Sequence, residues 1–404
     1  MTDSVVLQPS HKQPGWKVDR FIVSTALVGF ALLGGLIWLE AAPFMVALFA
    51  VGTALGMALY HGAFGFTAGW RNLVVKKRGA GMRAQLLLFG VTSLIMVPML
   101  HSGQEGMVGA VAPVGISLAV GSFLFGIGMQ LGGGCGSGTL FTVGAGNMRM
   151  GVTLVFFIAG AVLGSIHLPW WLDQPGFDPV PLVNTFGVSG AILVQLVALG
   201  LIACWVNRIE RKAHDSIERD ELLWKSQDHG VLRTLLSGHW PFTWAILILA
   251  AGNALTLAIS GAPWSITFAF SVWGAKALEM AGVQMSQFEF WQWDYPAMAL
   301  KDSVLTNIPS VMNFGLLLGA MLAAGLASRF NESSSNRPKG RQLLAAVVGG
   351  LLLGYGARLG FGCNIGALFS GIASASLHAW VWFASAFVGS WIGIQLRPWF
   401  RLPN

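Results

Sequence analysis

Apolar runs of about twenty residues follow one another along most of the chain, at roughly 21–39, 44–60, 84–100, 113–131, 151–166, 185–206, 240–260, 304–328, 342–359 and 377–396. The hydrocarbon core of a bilayer takes about twenty helical residues, so each run predicts a membrane-spanning helix. Two further stretches, 61–70 (HGAFGFTAGW) and 263–278 (PWSITFAFSVWGAKAL), are shorter and interrupted by glycine or proline. Backbone that leaves a helix at membrane depth is tolerated only where it is buried in protein or lines a cavity, so both predict re-entrant or broken helices. The expected fold class is therefore an all-α polytopic membrane protein with about ten transmembrane spans plus short re-entrant helices.

Charge orients these spans. One set of connections is basic: the start of the chain with Lys12, Lys17 and Arg20, the loop with Arg71, Lys76, Lys77, Arg78 and Arg83, the linker with Arg208, Arg211, Lys212, Arg219, Lys225 and Arg233, the loop with Arg329, Arg337, Lys339 and Arg341, and finally Arg397 and Arg401. The alternate connections, 40–43, 101–113, 167–182 and 284–300, carry almost no Lys or Arg and hold Trp170, Trp171, Trp291, Trp293 and Tyr295. The positive-inside rule and the interfacial preference of Trp and Tyr then place the basic loops and both termini in the cytoplasm. No small-residue cleavage site follows the first apolar run, so a retained span is expected there. Residues 207–238 read as a solvated linker between a first membrane repeat, 1–206, and a second, 239–404, with an amphipathic surface helix as the alternative for its mixed-charge stretch. Lys276 and Glu279, one turn apart, are expected to pair.

Composition agrees. With 54% hydrophobic and 10% charged residues and a mean hydropathy of +0.66, 404 residues hold too much apolar surface for a water-soluble core. The formal charge of +7 belongs to the cytoplasmic loops and calls for no nucleic acid. The three cysteines, Cys135, Cys204 and Cys363, form no disulfide framework and have no metal spacing. No cofactor motif is present.

Two stretches repeat one another. Residues 121–141 (GSFLFGIGMQLGGGCGSGTLF) and 349–369 (GGLLLGYGARLGFGCNIGALF) superimpose without a gap at an offset of 228, matching Gly121, Gly126, Gly128, Leu131, Gly132, Gly134, Cys135, Gly138, Leu140 and Phe141. Each is an apolar span, a glycine-rich break with one cysteine, and a fresh apolar start, the pattern of a discontinuous membrane helix. Five spans separate equivalents, an odd number, so the copies enter the membrane from opposite faces as inverted repeats. If 136–141 and 364–369 begin short helices, their free N–H groups and positive dipole ends point at the breaks, which suits an anion. Gly134, Gly136 and Gly362 permit the turn, while Ser137, Thr139 and Asn364 add donors. Arg358 is a lone cation near a span end, a place that more often faces a cavity or an anionic substrate than lipid. His378 is as readily an interfacial or core histidine as a substrate contact. A thiol is a soft, weak donor and suits a substrate carrying sulfur or selenium. A membrane cysteine taken alone is a small hydrophobe, the reading that fits Cys204; duplication and glycine breaks set Cys135 and Cys363 apart.

With LGGGCGSGTL around Cys135, and GARLGFGCNIGALFSGI followed by SLHAW around Cys363, the chain resembles the YeeE/YedE family of bacterial inner-membrane proteins. The resemblance implies an hourglass-shaped protein that takes up thiosulfate or a related sulfur or selenium compound. It implies that Cys135 and Cys363 relay the anion by hydrogen bonds, and that the protein is a transporter with no catalytic residues. A cytoplasmic sulfur carrier or sulfurtransferase is a possible partner, besides the lipid. A membrane sulfurtransferase or redox protein carrying a persulfide on one cysteine is the alternative. Where many members have a further cysteine in F-C-F-T-x-A-x-R, this chain has Gly65.

Overall fold

A computed structural model describes residues 17–102, 106–218, 231–331 and 340–404. Lys12, Arg219, Lys225, Arg337 and Lys339, named above, lie outside the described residues. In chain order the helices are α1 (Arg20–Glu40), α2 (Pro43–His61), α3 (Phe66–Lys76), α4 (Ala80–Leu100), α5 (Ile116–Gly132), α6 (Gly136–Gly144), α7 (Met148–Leu172), α8 (Leu182–His214), α9 (Val231–Ser237), α10 (Phe242–Ser260), α11 (Thr267–Met280), α12 (Asp294–Lys301), α13 (Ile308–Leu326), α14 (Gly340–Leu359), α15 (Ser370–Ala373) and α16 (Leu377–Leu396). A π-helical segment, Asn364–Phe369, leads into α15. Among the described residues ten spans are long and apolar enough to cross a membrane, and strand is confined to a two-residue ladder, Val114–Gly115 against Gly176–Phe177. This is an all-α, multi-pass membrane protein.

Packing follows a two-fold pattern. The pair α2 and α13 has its counterpart in α10 and α4, the pair α7 and α14 in α16 and α5, the pair α1 and α13 in α8 and α4, and the pair α6 and α13 in α15 and α4. At the centre α5 and α14 touch each other and run antiparallel: Gly121 abuts Leu359 and Gly360, whereas Gly132 abuts Gly349. A Cβ on Gly121 would stand 2.4 Å from the backbone nitrogen of Gly360, and one on Gly349 would stand 2.2 Å from that of Gly132, so glycine sets how closely these backbones approach. In their most apolar 18-residue stretches only 17% of α1 and of α8 is buried, against 67% of α13, so these two helices lie at the rim of the bundle, on the side a bilayer would cover.

The loops collect on two faces. On the basic face Arg83 and Arg78 reach the fully buried carboxylate of Glu210, and Arg329 donates to Nε2 of His239 at 2.9 Å. On the neutral face the Val108 N–H bonds the Gly261 carbonyl, and Ser303 donates to Glu40 at 2.9 Å. The structure adds to one reading and changes another. Helix α8 runs on to His214, so the first part of the expected linker is helix, drawn in by the ion pair at Glu210. Lys276 donates to the Leu300 carbonyl at 2.7 Å, and among the described residues no ion pair joins it to Glu279, because α12 brings a carbonyl within its reach.

Candidate functional site

Both glycine-rich breaks take the expected form. Helix α5 ends at Gly133, whose φ of +99° turns the chain back, and α6 restarts at Gly136. Cys135 caps α6: its Sγ accepts from the Gly138 N–H at 3.4 Å and lies 3.4 Å from Ser137 Oγ. After α14 the chain turns through Phe361 (φ +58°) and Gly362 (φ +148°). Cys363 then caps the π-helical segment, its Sγ accepting from the Ile365 N–H at 3.4 Å. Each sulfur thus sits where a short helix leaves its first N–H groups unsatisfied and its dipole positive.

The antiparallel course of α5 and α14 brings the two breaks together. A Cβ built on Gly136, the residue after Cys135, would lie 2.9 Å from Cys363 Sγ and 3.5 Å from Thr267 Cγ2 at the start of α11. Ser265, in the break before α11, faces Gly366 with its Oγ 3.4 Å from where a Cβ would stand. Three discontinuous elements therefore converge, and both cysteines are closed off, at 1% and 0% exposure. Asn364 is fully buried, and neither its Oδ1 nor its Nδ2 has a partner among the described residues. A buried amide without partners costs about 1–3 kcal/mol, which a bound anion or water would recover. Thr139 Oγ1, one turn into α6, is likewise buried without a partner.

The remaining expected residues are distributed as follows. Gly134 packs against Met150 and the α6 backbone, and Gly362 against Ala367. Arg358 points away from the cysteines toward the neutral face, its guanidinium 4.8 Å from the Phe290 ring centroid and 5.6 Å from that of Phe268. Its Nε is buried without a hydrogen-bond partner, and among the described residues no carboxylate pairs with it. His378 is buried beside Gly371 with Nδ1 2.7 Å from Ser376 Oγ. Neither Arg358 nor His378 is brought against the sulfurs. Cys204 is exposed on the lipid-facing α8. Gly65 caps α3, its carbonyl accepting from Gln85 at 3.4 Å, and only the Ala68 Cβ, at 3.8 Å, lies near where a side chain would start.

Sequence reasoning missed Thr267, Ser265 and the use made of Arg149 and Arg397. Arg149 donates to the Leu131 carbonyl at 2.7 Å and Arg397 to the Gln130 carbonyl at 2.6 Å, so two guanidinium groups cap the last turn of α5. The pointer to Thr267 and Ser265 was available, since 263–278 already read as broken and the polar residues of such a break face protein or cavity. Among the described residues no cluster of His, Cys, Asp or Glu has the geometry of a metal site. What the site offers is a buried meeting point of two thiols, two helix starts and amide and hydroxyl groups without partners, with no acid–base pair beside either sulfur among the described residues.

A sequence profile of the family described as sulphur transport matches residues 61–392, which takes in every element of this site. The chain belongs to the sulphur-transport family. Among the family's proteins it is 36% identical over 177 residues to a probable transporter YedE from Salmonella typhimurium, an alignment covering 41% of this chain and 42% of that one. An Escherichia coli YedE is similar over 38% of its own length, so against the YedE proteins this chain spans well under half of each relative. Thiosulfate transporter TsuA of Spirochaeta thermophila is 26% identical over 357 residues, covering 84% of this chain and 95% of that protein. TsuA of Escherichia coli is 24% identical over 355 residues.

Proposed function

We propose that the protein carries a small sulfur-containing anion, thiosulfate first among candidates, across the bacterial inner membrane, handing it between the thiols of Cys135 and Cys363. The observation that carries this reading is the contact of Gly136 with Cys363 Sγ: two inverted breaks deliver both sulfurs to one buried point. A protonated thiol donates to the anion, the helix starts supply positive potential, and Asn364 and Ser137 complete the shell. The length over which TsuA aligns supports thiosulfate as substrate.

By the positive-inside rule the basic face and both termini are cytoplasmic, so uptake runs from the neutral face inward. The cation on Arg358 then draws the anion toward the outer opening, and Arg149 and Arg397 lie on the inward side. A cytoplasmic sulfur carrier or sulfurtransferase would receive the product on the basic face. The chain works as two inverted membrane repeats, expected from the sequence as 1–206 and 239–404 with 207–238 between them. The packing of α8 on α4, which mirrors that of α1 on α13, favours counting α8 as the first span of the second repeat instead of the last of 1–206.

The test is uptake of labelled thiosulfate into proteoliposomes holding the purified full chain, with sulfate, sulfite and selenite as competitors. Saturable uptake suppressed by unlabelled thiosulfate is the expected result, and absence of uptake from folded protein removes the substrate. Mass spectrometry of exposed protein bears on the mechanism, because a stable one-sulfur adduct on Cys135 or Cys363 would replace hydrogen-bond relay with persulfide chemistry.

A further inference from the structure

The duplication contains its own control. Gly133 and Phe361 are equivalent positions in the two breaks, and both hold left-handed backbone, with φ of +99° and +58°. Glycine takes that conformation freely, whereas a bulky side chain pays in strain. The inner break uses glycine and the other copy a phenylalanine, so the second turn carries strain that the first does not.

The surroundings of Phe361 give its ring a use. A cavity of about 250 Å³ opens on the neutral face, lined by Ser117, Trp171, Gln174, Phe177, Asp178 and Phe361. That is room for several waters or a small tetrahedral anion. Phe361 is half-buried on the cavity wall, and two residues further on Cys363 is at 0% exposure. Ser117 Oγ donates to the Leu359 carbonyl at 3.0 Å and so ties the cavity wall to the end of α14, where the break begins. At the equivalent inner break the group over Gly133 is a cation: a Cβ there would lie 3.2 Å from an Arg149 guanidinium nitrogen.

We propose that Phe361 is the gate on the neutral face, its ring separating this cavity from Cys363, and that the pathway opens when the ring leaves and the strained turn relaxes. This deepens the transport reading, on which it rests for the identity of the passing anion. The two breaks then differ by design: an apolar shutter on one side, a cationic cap on the other.

The test reads accessibility and not transport, so it stands or falls separately from the substrate. In the full chain carrying Cys135→Ala and Cys204→Ala, Cys363 is the sole thiol, and its labelling by a membrane-impermeant, charged methanethiosulfonate is timed from each face of sealed vesicles. A separate Asp178→Cys marker identifies the cavity face. Phe361→Gly removes ring and strain together, Phe361→Ala removes the ring alone, and Phe361→Leu keeps most of the bulk should the smaller residues fold poorly. Labelling of Cys363 from the cavity face should rise about tenfold or more in Phe361→Gly and Phe361→Ala and less in Phe361→Leu, with labelling from the opposite face unchanged. An unchanged rate in Phe361→Gly and Phe361→Ala, or an equal rise from both faces, would overturn the gate.

Discussion

Cys363 Sγ lies so close to Gly136 that a Cβ there would stand 2.9 Å from the sulfur. Only glycine leaves room for the second thiol beside the first helix start. Gly136→Ala should displace Cys363, cost about 1–3 kcal/mol of overpacking, and cut anion uptake far more than it lowers the melting temperature. Initial uptake rates and thermal unfolding of the same preparation check this, and wild-type uptake would show that the contact is only packing.

Glu210 is buried at the basic end of α8, where Arg83 and Arg78 share its carboxylate and the Glu218 N–H donates to it at 3.3 Å. Removing one partner of a buried pair costs about 3–5 kcal/mol. Arg78 is partly open to water, so Glu210→Gln should cost somewhat less, about 2–3 kcal/mol. A double-mutant cycle with Arg83→Met, read by thermal unfolding in detergent, should show strong coupling; additive losses would contradict the pairing.

Much of this architecture is legible in the sequence. The ten apolar runs become the ten spans, and the duplicated motifs become breaks capped by Cys135 and Cys363, because bilayer thickness and glycine-rich turns act locally. What the sequence hides is long-range. The string around Glu210 reads as a solvated connector until Arg83, far away in the chain, is seen to enclose it. Lys276 looks like the partner of Glu279 until α12 presents the Leu300 carbonyl. The opposite courses of α5 and α14 follow from the span count, but the meeting of Gly136 with Cys363 also needs these two helices to pack on each other, which no local pattern encodes, and Arg358 leaves the cysteines because Phe268 and Phe290 stack on it.

His239, outside the spans, takes a hydrogen bond from Arg329, and burial together with that guanidinium lowers its pKa below the usual histidine value. The buried ring of His61 and Arg329 are the titratable and charged groups facing it. The unfolded chain therefore binds a proton first, and stability falls as pH drops below about 6.5, by at most about 1.4 kcal/mol per pH unit. Between pH 7.5 and 5.5 the melting temperature should fall less in His239→Gln than in wild type. An identical fall would remove His239 from the pH response.

Arg358 stacks on Phe268 and Phe290 without a counter-charge among the described residues. As an attractor ahead of the cysteines it should act on KM: Arg358→Gln is expected to raise KM about five- to tenfold with kcat little changed, more at low salt, with partial recovery in Arg358→Lys. A loss confined to kcat would place Arg358 elsewhere in the cycle.

The central claim is that both buried thiols act on the passing anion, and its most direct test is thiosulfate uptake by Cys135→Ala, Cys363→Ala and Cys204→Ala proteins reconstituted at equal density. A lost hydrogen bond to a charged group is worth about 1.5–3 kcal/mol, so Cys135→Ala and Cys363→Ala should each lose about ten- to a hundredfold in rate. Cys204→Ala should match wild type. Wild-type uptake in either of the first two would contradict the relay.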